Sequence, residues 1–440
     1  MTVYLRKTDM DSGSGKSTLT QLLAHLDDIL SGLCENKDTD SIYLDYAKAF
    51  DKVDHGLLID KLVRYGFHTK LIKWIHSFLS DRKQVVLVNG VRSDEASVRS
   101  GVPQGSVLGP VLFLIFINDL ETVLNSSTVR FFADDTRISH RIEYSTDREK
   151  LQQDLSNIVF WSKENNMMLH EQKFELMVHK ANPNSIGLQL PFSPELYYYD
   201  ISNSFQLEAT DSLRDLGVRI TSDLSWSTQI KSLVSRGRSA SSWVLSVFKT
   251  RDPNTMLTLY KSYVRSNVEY CSPLWHPSKI EDIESIEGVQ RFFTAKIDGC
   301  RQLTYWERLI KLGLMSLQRR RERFILLTMW KILHNRLPND LLISFRSPSR
   351  LGIQSIIPSL PRSDCRQRNR SLYDASFAVI GPKLWNMLPR YINVIEKEVS
   401  FKNELTKFIL KLPDQPPVQG YPRNHGNSVV DVDCGAANYF

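Results

Sequence analysis

The order of apolar and polar residues along the chain predicts a protein of mixed helices and strands. Alternating or β-branched residues predict a strand at residues 42–44, a hairpin over 83–98 with its turn at Gly90, and a second hairpin over 129–138. Loose composition marks linkers at residues 181–192 and 344–370 and a tail after Leu412. Helical spacing of apolar residues predicts helices over residues 19–30, 56–65, 69–79, 111–124, 226–249, 253–268, 303–314, 324–334, 377–388 and 396–410.

The amino-acid composition limits the size, the partners and the compartment that this pattern allows. The 440 residues are 42% hydrophobic and 10% aromatic, which is enough for real cores and for two or three domains. Lysine and arginine outnumber aspartate and glutamate by 56 to 49, so an anionic partner such as nucleic acid is compatible with the charge of +7. The five cysteines are far apart and form no CxxC pair, so we expect a reducing intracellular compartment without structural zinc. The longest apolar run, residues 107–117, is shorter than the ~20 residues of a membrane-spanning helix, and we expect no membrane span.

Asp134 and Asp135 form the first candidate site. They stand side by side between two predicted strands, so a tight turn should hold both. Adjacent carboxylates repel each other unless a cation joins them, and a divalent metal with oxygen ligands commonly does so. The alternative is an exposed Asp-Asp turn.

Residues 11–18 look like the end of a phosphate-binding loop, with a predicted helix after them. Met10 stands at the position where the full pattern has its first glycine, and the residues before the loop are mostly polar. The alternatives are a P-loop ATPase and a glycine-rich turn whose Ser17 or Thr18 caps a helix.

Two further segments complete a possible site. Asp45 follows the apolar strand residues Ile42 and Leu44, where a carboxylate can project into a cleft rather than into solvent. The glycine- and proline-rich residues 100–110 allow close backbone approach to a planar or anionic group, with Ser106 as a helix cap. A solvated carboxylate and a plain turn are the simpler alternatives.

Three motifs carry a specific resemblance. Tyr43–Asp51 (YLDYAKAFD), Ser100–Gly105 (SGVPQG) and Phe132–Asp135 (FADD) resemble the central motifs of non-LTR retrotransposon reverse transcriptases of the LINE, jockey-like group. The resemblance continues through Asn166–Met177, similar to the strand-and-lysine motif, and Asp215–Val218, similar to the primer grip. It covers roughly residues 18–336.

The resemblance implies a metal-dependent nucleotidyl transfer. Asp45, Asp134 and Asp135 would hold two Mg²⁺ ions, with Mn²⁺ as the other candidate, about 3.5–4 Å apart. A primer 3′-OH would attack the α-phosphate of a deoxynucleoside triphosphate and release pyrophosphate. Lys173 matches a lysine that donates a proton to pyrophosphate, and the alternative is an ordinary surface lysine.

The same resemblance assigns nucleotide contacts. Phe50 matches the aromatic position that excludes the 2′-OH of ribonucleotides, and Gln104 and Gly105 match the loop that supports the nucleotide and the template base. The implied partners are an RNA template, a DNA primer or target DNA, and deoxynucleoside triphosphates. Such elements are copied at chromosomal DNA, which implies the nucleus.

The chain also departs from the family. Fingers motifs and an endonuclease domain precede the corresponding segment in such elements, so we expect an amino-terminally truncated protein. Residues 11–18 would be an altered copy of a fingers loop, in which Asp11 and Gly13 replace a glycine and an arginine.

Basic residues follow the predicted palm. Lys231, Arg236 and Arg238 fit a helical thumb facing duplex phosphates, and Arg319, Arg320 and Arg321 could bind RNA or target DNA. For both groups the alternative is a solvated face of a packed helix.

These patterns predict an α+β right-hand polymerase with an antiparallel palm sheet, partial fingers, a helical thumb and a helical carboxy-terminal extension. The predicted domains are residues 1–40 (residual fingers), 41–222 (palm), 223–275 (thumb), 276–412 (helical domain) and 413–440 (disordered tail). The predicted function is RNA-directed DNA polymerisation, and the alternative is an inactive remnant that binds nucleic acid.

Overall fold

The computed structural model describes residues 17–183, 196–199, 204–277, 279–337, 343–345, 356–358, 361 and 363–412. The chain divides into two compact units, one of residues 1–17 and 36–213 and the other of residues 18–35 and 214–440. The loop-like segment at residues 11–16, most of the predicted linkers and the tail lie outside the described residues. Within the described ranges, no helix is long and apolar enough to cross a bilayer.

A four-stranded antiparallel sheet organises the first unit, in the order β6-β7-β1-β8. It confirms the predicted α+β class and the predicted palm sheet. Its strands are β1 (Asp38–Leu44), β6 (Thr128–Phe132), β7 (Asp135–Ile142) and β8 (Glu175–His179). The predicted first hairpin is confirmed as β2 (Lys83–Gln84), β3 (Leu87–Val88), β4 (Val91–Arg92) and β5 (Ala96–Ser97). A separate pair is formed by β9 (Tyr197–Tyr199) and β10 (Ser204–Gln206).

Helices support this sheet. They are α2 (Ala49–Lys52), α3 (His55–Arg64), α4 (Thr69–Leu79), α5 (Leu108–Ile117) and α6 (Ser145–Glu164), with 3-10 turns at Leu120–Val123 and Glu171–Lys173. The predicted helix over residues 111–124 is corrected, because α5 ends at Ile117 and a separate 3-10 turn follows it. The pattern did not predict α6, whose apolar residues are interrupted by polar ones that make buried hydrogen bonds. The fully apolar sequence of α5 is explained by its position in the core of this unit.

Lys61 of α3 is a buried cation that lies beside the end of α5. Its ammonium donates hydrogen bonds of 2.7 Å to the Phe116 carbonyl and to Asp119 Oδ1, and it lies 4.8 Å from the centre of the Trp161 ring. The Trp161 indole donates to the same carboxylate oxygen at 3.0 Å. Burial lowers the pKa of Lys61, and the charge of Asp119 opposes that shift. Asp119 therefore ties α3, the end of α5 and α6 together.

The second unit is mainly helical and includes α1 (Thr18–Cys34). The buried Asn369 side chain donates to the carbonyl of Leu33 at 2.9 Å, so α1 packs against α13 (Gln367–Asp374). The predicted domain bounds stay predictions. The other helices are α7 (Ser227–Val247), α8 (Pro253–Leu259), a π turn (Tyr260–Arg265), α9 (Ser266–Glu269), α10 (Ile280–Thr294), α11 (Tyr305–Leu312), α12 (Leu317–Leu333), α13 (Gln367–Asp374), α14 (Phe377–Asn386), α15 (Arg390–Asn393) and α16 (Glu398–Lys411).

Most of these helices confirm the periodicity, with three corrections. No helix was predicted where α10 and the short α15 lie, and α13 begins inside the predicted linker at residues 344–370. The short strands here are β12 (Val218–Thr221), β13 (Ile343–Phe345) and β14 (Ile356–Pro358), and the boundary between the units falls within β11 (Ser212–Asp215).

Replacing Asp119 with alanine should lower the free energy of unfolding of the first unit by about 3 kcal/mol, because it leaves the Lys61 ammonium buried without its carboxylate. Urea unfolding followed by far-UV circular dichroism measures the change. Asp60→Ala, which removes an exposed carboxylate from α3, is the matched control. Equal unfolding midpoints for the two variants would contradict this account of Asp119.

Candidate active site

Asp45 lies immediately after β1. The last pair between β1 and β7 joins Leu44 to Thr136, and the next backbone group, the Asp45 carbonyl, accepts a hydrogen bond of 2.8 Å from the amide of His170. This bond fixes the backbone at the point where the strand ends. The Asp45 side chain is 20% exposed, so it faces a partly open surface.

Asp134 and Asp135 lie at the β6–β7 hairpin. Phe132 pairs with Asp135, so Ala133 and Asp134 alone form the connection, and Asp135 is the first residue of β7. Ala133 has a φ of 54°, a left-handed conformation that is unusual for alanine and is typical of very tight hairpins. The predicted tight turn is confirmed. Its backbone holds Asp134 half-buried and Asp135 exposed.

The strand register brings these acids together. Leu44 pairs with Thr136, so continuing the register by one residue sets Asp45 beside Asp135. Lys173, in the 3-10 turn before β8, makes a hydrogen-bonded ion pair with Asp45 Oδ2. The hydrogen bond to Asp45 and then the charges of Asp45, Asp134 and Asp135 raise the pKa of Lys173, which keeps this ammonium protonated at neutral pH.

The donor set fits a hard divalent cation. Asp45, Asp134 and Asp135 offer carboxylate oxygens on neighbouring strand ends, the ligand type that magnesium prefers. In the described part of the chain, no three acidic, histidine or cysteine side chains already converge closely enough to form a coordination sphere. Lys173 supplies the positive charge at Asp45, so metal binding there requires this ion pair to open.

The glycine-rich loop is bonded to the segment that follows Asp45. Ser100 Oγ donates to the Asp51 carbonyl at 2.9 Å, the Val102 amide to the Phe50 carbonyl at 2.8 Å, and Gln104 Nε2 to Asp51 Oδ1 at 3.0 Å. Gly101 has a φ of 88°, and a Cβ there would lie 2.8 Å from the backbone of Asp51. Only glycine allows this approach, so the loop and α2 form one rigid platform.

Phe50 lies on this platform. Its ring stacks on the buried Phe113 ring of α5, with centroids 4.5 Å apart and planes at 20°. Gln104 and Gly105 are exposed in the glycine-rich loop, and Gly105 has a φ of 81° with nothing within 4 Å of an added Cβ. The pattern missed Asp51 and Phe113 as supports of this region. For Asp51, the signal available was its place directly after Phe50.

The predicted thumb cations lie on α7. Lys231 and Arg238, seven residues apart, are exposed on one side of the helix, and Arg236 is half-buried. Their contact with nucleic acid remains a prediction.

The prediction for Arg319, Arg320 and Arg321 is corrected. Arg319 and Arg321 are each 1% exposed, and Arg320 forms a two-point ion pair with Glu269. The chain uses these cations inside the second unit, because α12 is enclosed by α10, α14 and α16. Arg319 and Arg321 are therefore too buried to meet RNA or DNA in this fold, and the half-buried Arg320 is held by Glu269.

Comparisons with known proteins agree with the geometry. Residues 14–220 match the family model described as reverse transcriptase (RNA-dependent DNA polymerase). The probable RNA-directed DNA polymerase from transposon X-element of Drosophila melanogaster is 25% identical over 296 residues, which cover 65% of this chain and 31% of that protein. The RNA-directed DNA polymerase from mobile element jockey of Drosophila funebris is 26% identical over 285 residues, which cover 61% of this chain and 29% of that polymerase. The chain therefore spans less than a third of these two relatives.

A comparison with solved structures finds telomerase. The telomerase of Candida Tropicalis in complex with the TWJ fragment of telomeric RNA aligns with 91% of this chain and 54% of its own chain, at 11% identity and a TM-score of 0.42.

Gly101→Ala should destabilise the first unit more than Gly90→Ala does. Both glycines have positive φ, and an alanine in that backbone conformation costs about 1 kcal/mol of folding free energy. An added Cβ at Gly90 meets nothing within 4 Å, so no further cost arises there. At Gly101 the clash with Asp51 adds about 1–3 kcal/mol. Thermal or urea unfolding of the two variants measures the difference, and equal losses would show that the loop does not depend on this close approach.

Proposed function

Residues 14–220 of this chain are a reverse transcriptase domain related to those of jockey-like non-LTR retrotransposons, and on that premise we propose that the chain catalyses RNA-directed DNA synthesis. One observation carries the proposal. The register of β1 and β7, with the β6–β7 turn, sets Asp45, Asp134 and Asp135 at one end of the sheet, where Lys173 pairs with Asp45 and also feels the charges of Asp134 and Asp135.

A reverse transcriptase domain implies dependence on a divalent metal, and we propose two Mg²⁺ ions at these three carboxylates. When bound, the ions would activate the primer 3′-OH and stabilise the leaving oxygen. Asp45 would first release Lys173. The freed Lys173 ammonium would then donate a proton to the departing pyrophosphate.

The Phe50 ring would select deoxynucleotides. Because Phe113 stacks on it, the ring cannot easily tilt away from a 2′-OH. Gln104 and Gly105 would support the nucleotide and the template base, since the bond from Gln104 to Asp51 fixes this loop. Lys231 and Arg238 would contact phosphates of the RNA template and DNA primer.

Primer extension tests the proposal. The protein, an RNA template, a DNA primer, deoxynucleoside triphosphates and Mg²⁺ should give incorporation that EDTA abolishes. The Asp134→Ala/Asp135→Ala substitutions should reduce the rate of incorporation at least 100-fold, because two of the proposed metal ligands are lost. Asp60→Ala, an exposed acid of the same unit, should retain it.

Two results would count against the polymerase. Equal activity of the Asp134→Ala/Asp135→Ala protein would place the chemistry elsewhere. A folded native chain that binds primer–template but incorporates nothing would identify a nucleic-acid-binding remnant.

Phe50→Val should raise the incorporation of ribonucleotides relative to deoxynucleotides by about tenfold or more, because the smaller side chain leaves room for the 2′-OH. Phe50→Tyr keeps the ring and should preserve selection. Steady-state kinetics with both nucleotide types gives the ratio, and an unchanged ratio in Phe50→Val would rule out the ring as the selecting group.

A further inference from the structure

A cavity of about 360 Å³ lies within the second unit. It is bounded by α1, by the residues that precede α7 and α10, and by α13 with the start of α14. This volume is in the range of small-ligand sites. The cavity lies outside the residues that the polymerase proposal uses.

Three helices begin at this cavity. Ser227 starts α7, Lys279 precedes α10, and Ser376 precedes α14, and all three residues line the cavity. The first amides of a helix have no acceptor in their own helix, and the helix dipole adds partial positive charge there. The lining therefore offers hydrogen-bond donors from several directions.

Ser376 is an independent sign of a ligand. It occupies the N-cap position of α14, yet its side chain makes no capping bond. Its hydroxyl oxygen is buried without a partner among the described residues, in a residue that is only 6% exposed and lines the cavity. Buried hydroxyl groups in native proteins are nearly always bonded to protein or ordered water, so this oxygen offers a contact in the cavity to a water molecule or to a polar ligand atom.

The charges in the lining are mixed. Arg368 and Lys279 supply positive charge, and Asp223 and Asp282 supply negative charge. The Arg368 guanidinium donates a hydrogen bond of 3.2 Å to the Asp223 carbonyl, which holds it at the rim of the cavity. Asp282 accepts a hydrogen bond of 2.9 Å from Ser227 Oγ, and Asp223 accepts one of 3.0 Å from the Ser225 amide. This balance disfavours a polyphosphate. It suits a ligand with a single phosphate and with hydroxyl or amino groups that can donate to carboxylates.

The remaining wall is apolar and aromatic. Leu26 and Leu30 of α1, Leu224 and the half-buried indole of Trp226 line it. An indole ring and aliphatic side chains together accept a flat heterocycle, because a base can stack on an aromatic side chain.

We propose that this cavity binds one nucleoside monophosphate unit, either free or as an unpaired nucleotide of a strand. Arg368 and Lys279 hold the phosphate, Trp226 packs on the base, and Ser376 accepts or donates one polar contact. This site is independent of the polymerase proposal, and either one can fail alone.

Calorimetric titration of the full chain with AMP tests the proposal, with EDTA present and in the Asp134→Ala/Asp135→Ala background, so that the palm does not contribute. We expect binding that weakens at least tenfold in Arg368→Ala and in Ser371→Trp, whose ring would fill the cavity from the exposed face of α13. Arg370→Ala, an exposed arginine of the same helix outside the lining, is the matched control and should bind as before. Circular dichroism verifies folding, and Ser371→Trp keeps the test decisive if Arg368→Ala unfolds.

A second titration identifies the source of the nucleotide. The site belongs to a nucleic-acid strand if a single-stranded oligoadenylate binds at least tenfold tighter than AMP and loses this gain in Ser371→Trp. Tighter binding of AMP than of the oligoadenylate assigns the site to the free nucleotide. Failure of both ligands to bind overturns the proposal. So does binding that Ser371→Trp leaves unchanged, and inorganic phosphate binding as tightly as AMP would overturn the nucleotide assignment.

Discussion

The antiparallel register of β1 against β7 is the constraint on which the candidate active site depends. Leu44 pairs with Thr136, and a shift of one residue would turn every side chain of β1 to the opposite face. Asp45 would then point away from the β6–β7 turn. Register is well specified here because Ile42 and Ile138 are fully buried partners, so a slip would expose apolar side chains to water.

Helix α6 stabilises the register through polar contacts with β1 and with the residues before β6. Asp154, which is fully buried, accepts hydrogen bonds of 2.8, 3.1 and 2.7 Å from the amides of residues 125, 126 and 127, immediately before β6. Arg148 of the same helix pairs with Asp40 of β1 at 2.8 Å. Burial raises the pKa of Asp40 to about 6, although the ion pair with Arg148 opposes this shift. One helix thus fixes the start of the β6–β7 hairpin and the middle of the neighbouring strand β1.

The second unit uses similar polar groups for a different purpose. The run of arginines on α12 has the composition of a nucleic-acid contact, yet Arg320 bonds to Glu269 and Arg319 bonds to backbone carbonyls near the end of α16. The Arg321 guanidinium lies 6.0 Å from the centre of the Trp275 ring and has no hydrogen-bond partner among the described residues. Exposed cations remain on α7, where Lys231 and Arg238 share one side.

The sequence by itself determined the motifs around Asp45, Gln104 and Asp134, the strands beside them and most helices, because apolar periodicity and turn chemistry are local properties. It also contained the family resemblance, since these motifs are contiguous. Only the tertiary structure decided that Lys173 pairs with Asp45, that Phe113 supports Phe50, that Gly101 contacts Asp51, and that Arg319 and Arg321 are buried. These contacts join residues distant in sequence, and burial of a charged residue depends on helices elsewhere in the chain. No local sequence pattern encodes contacts of this kind.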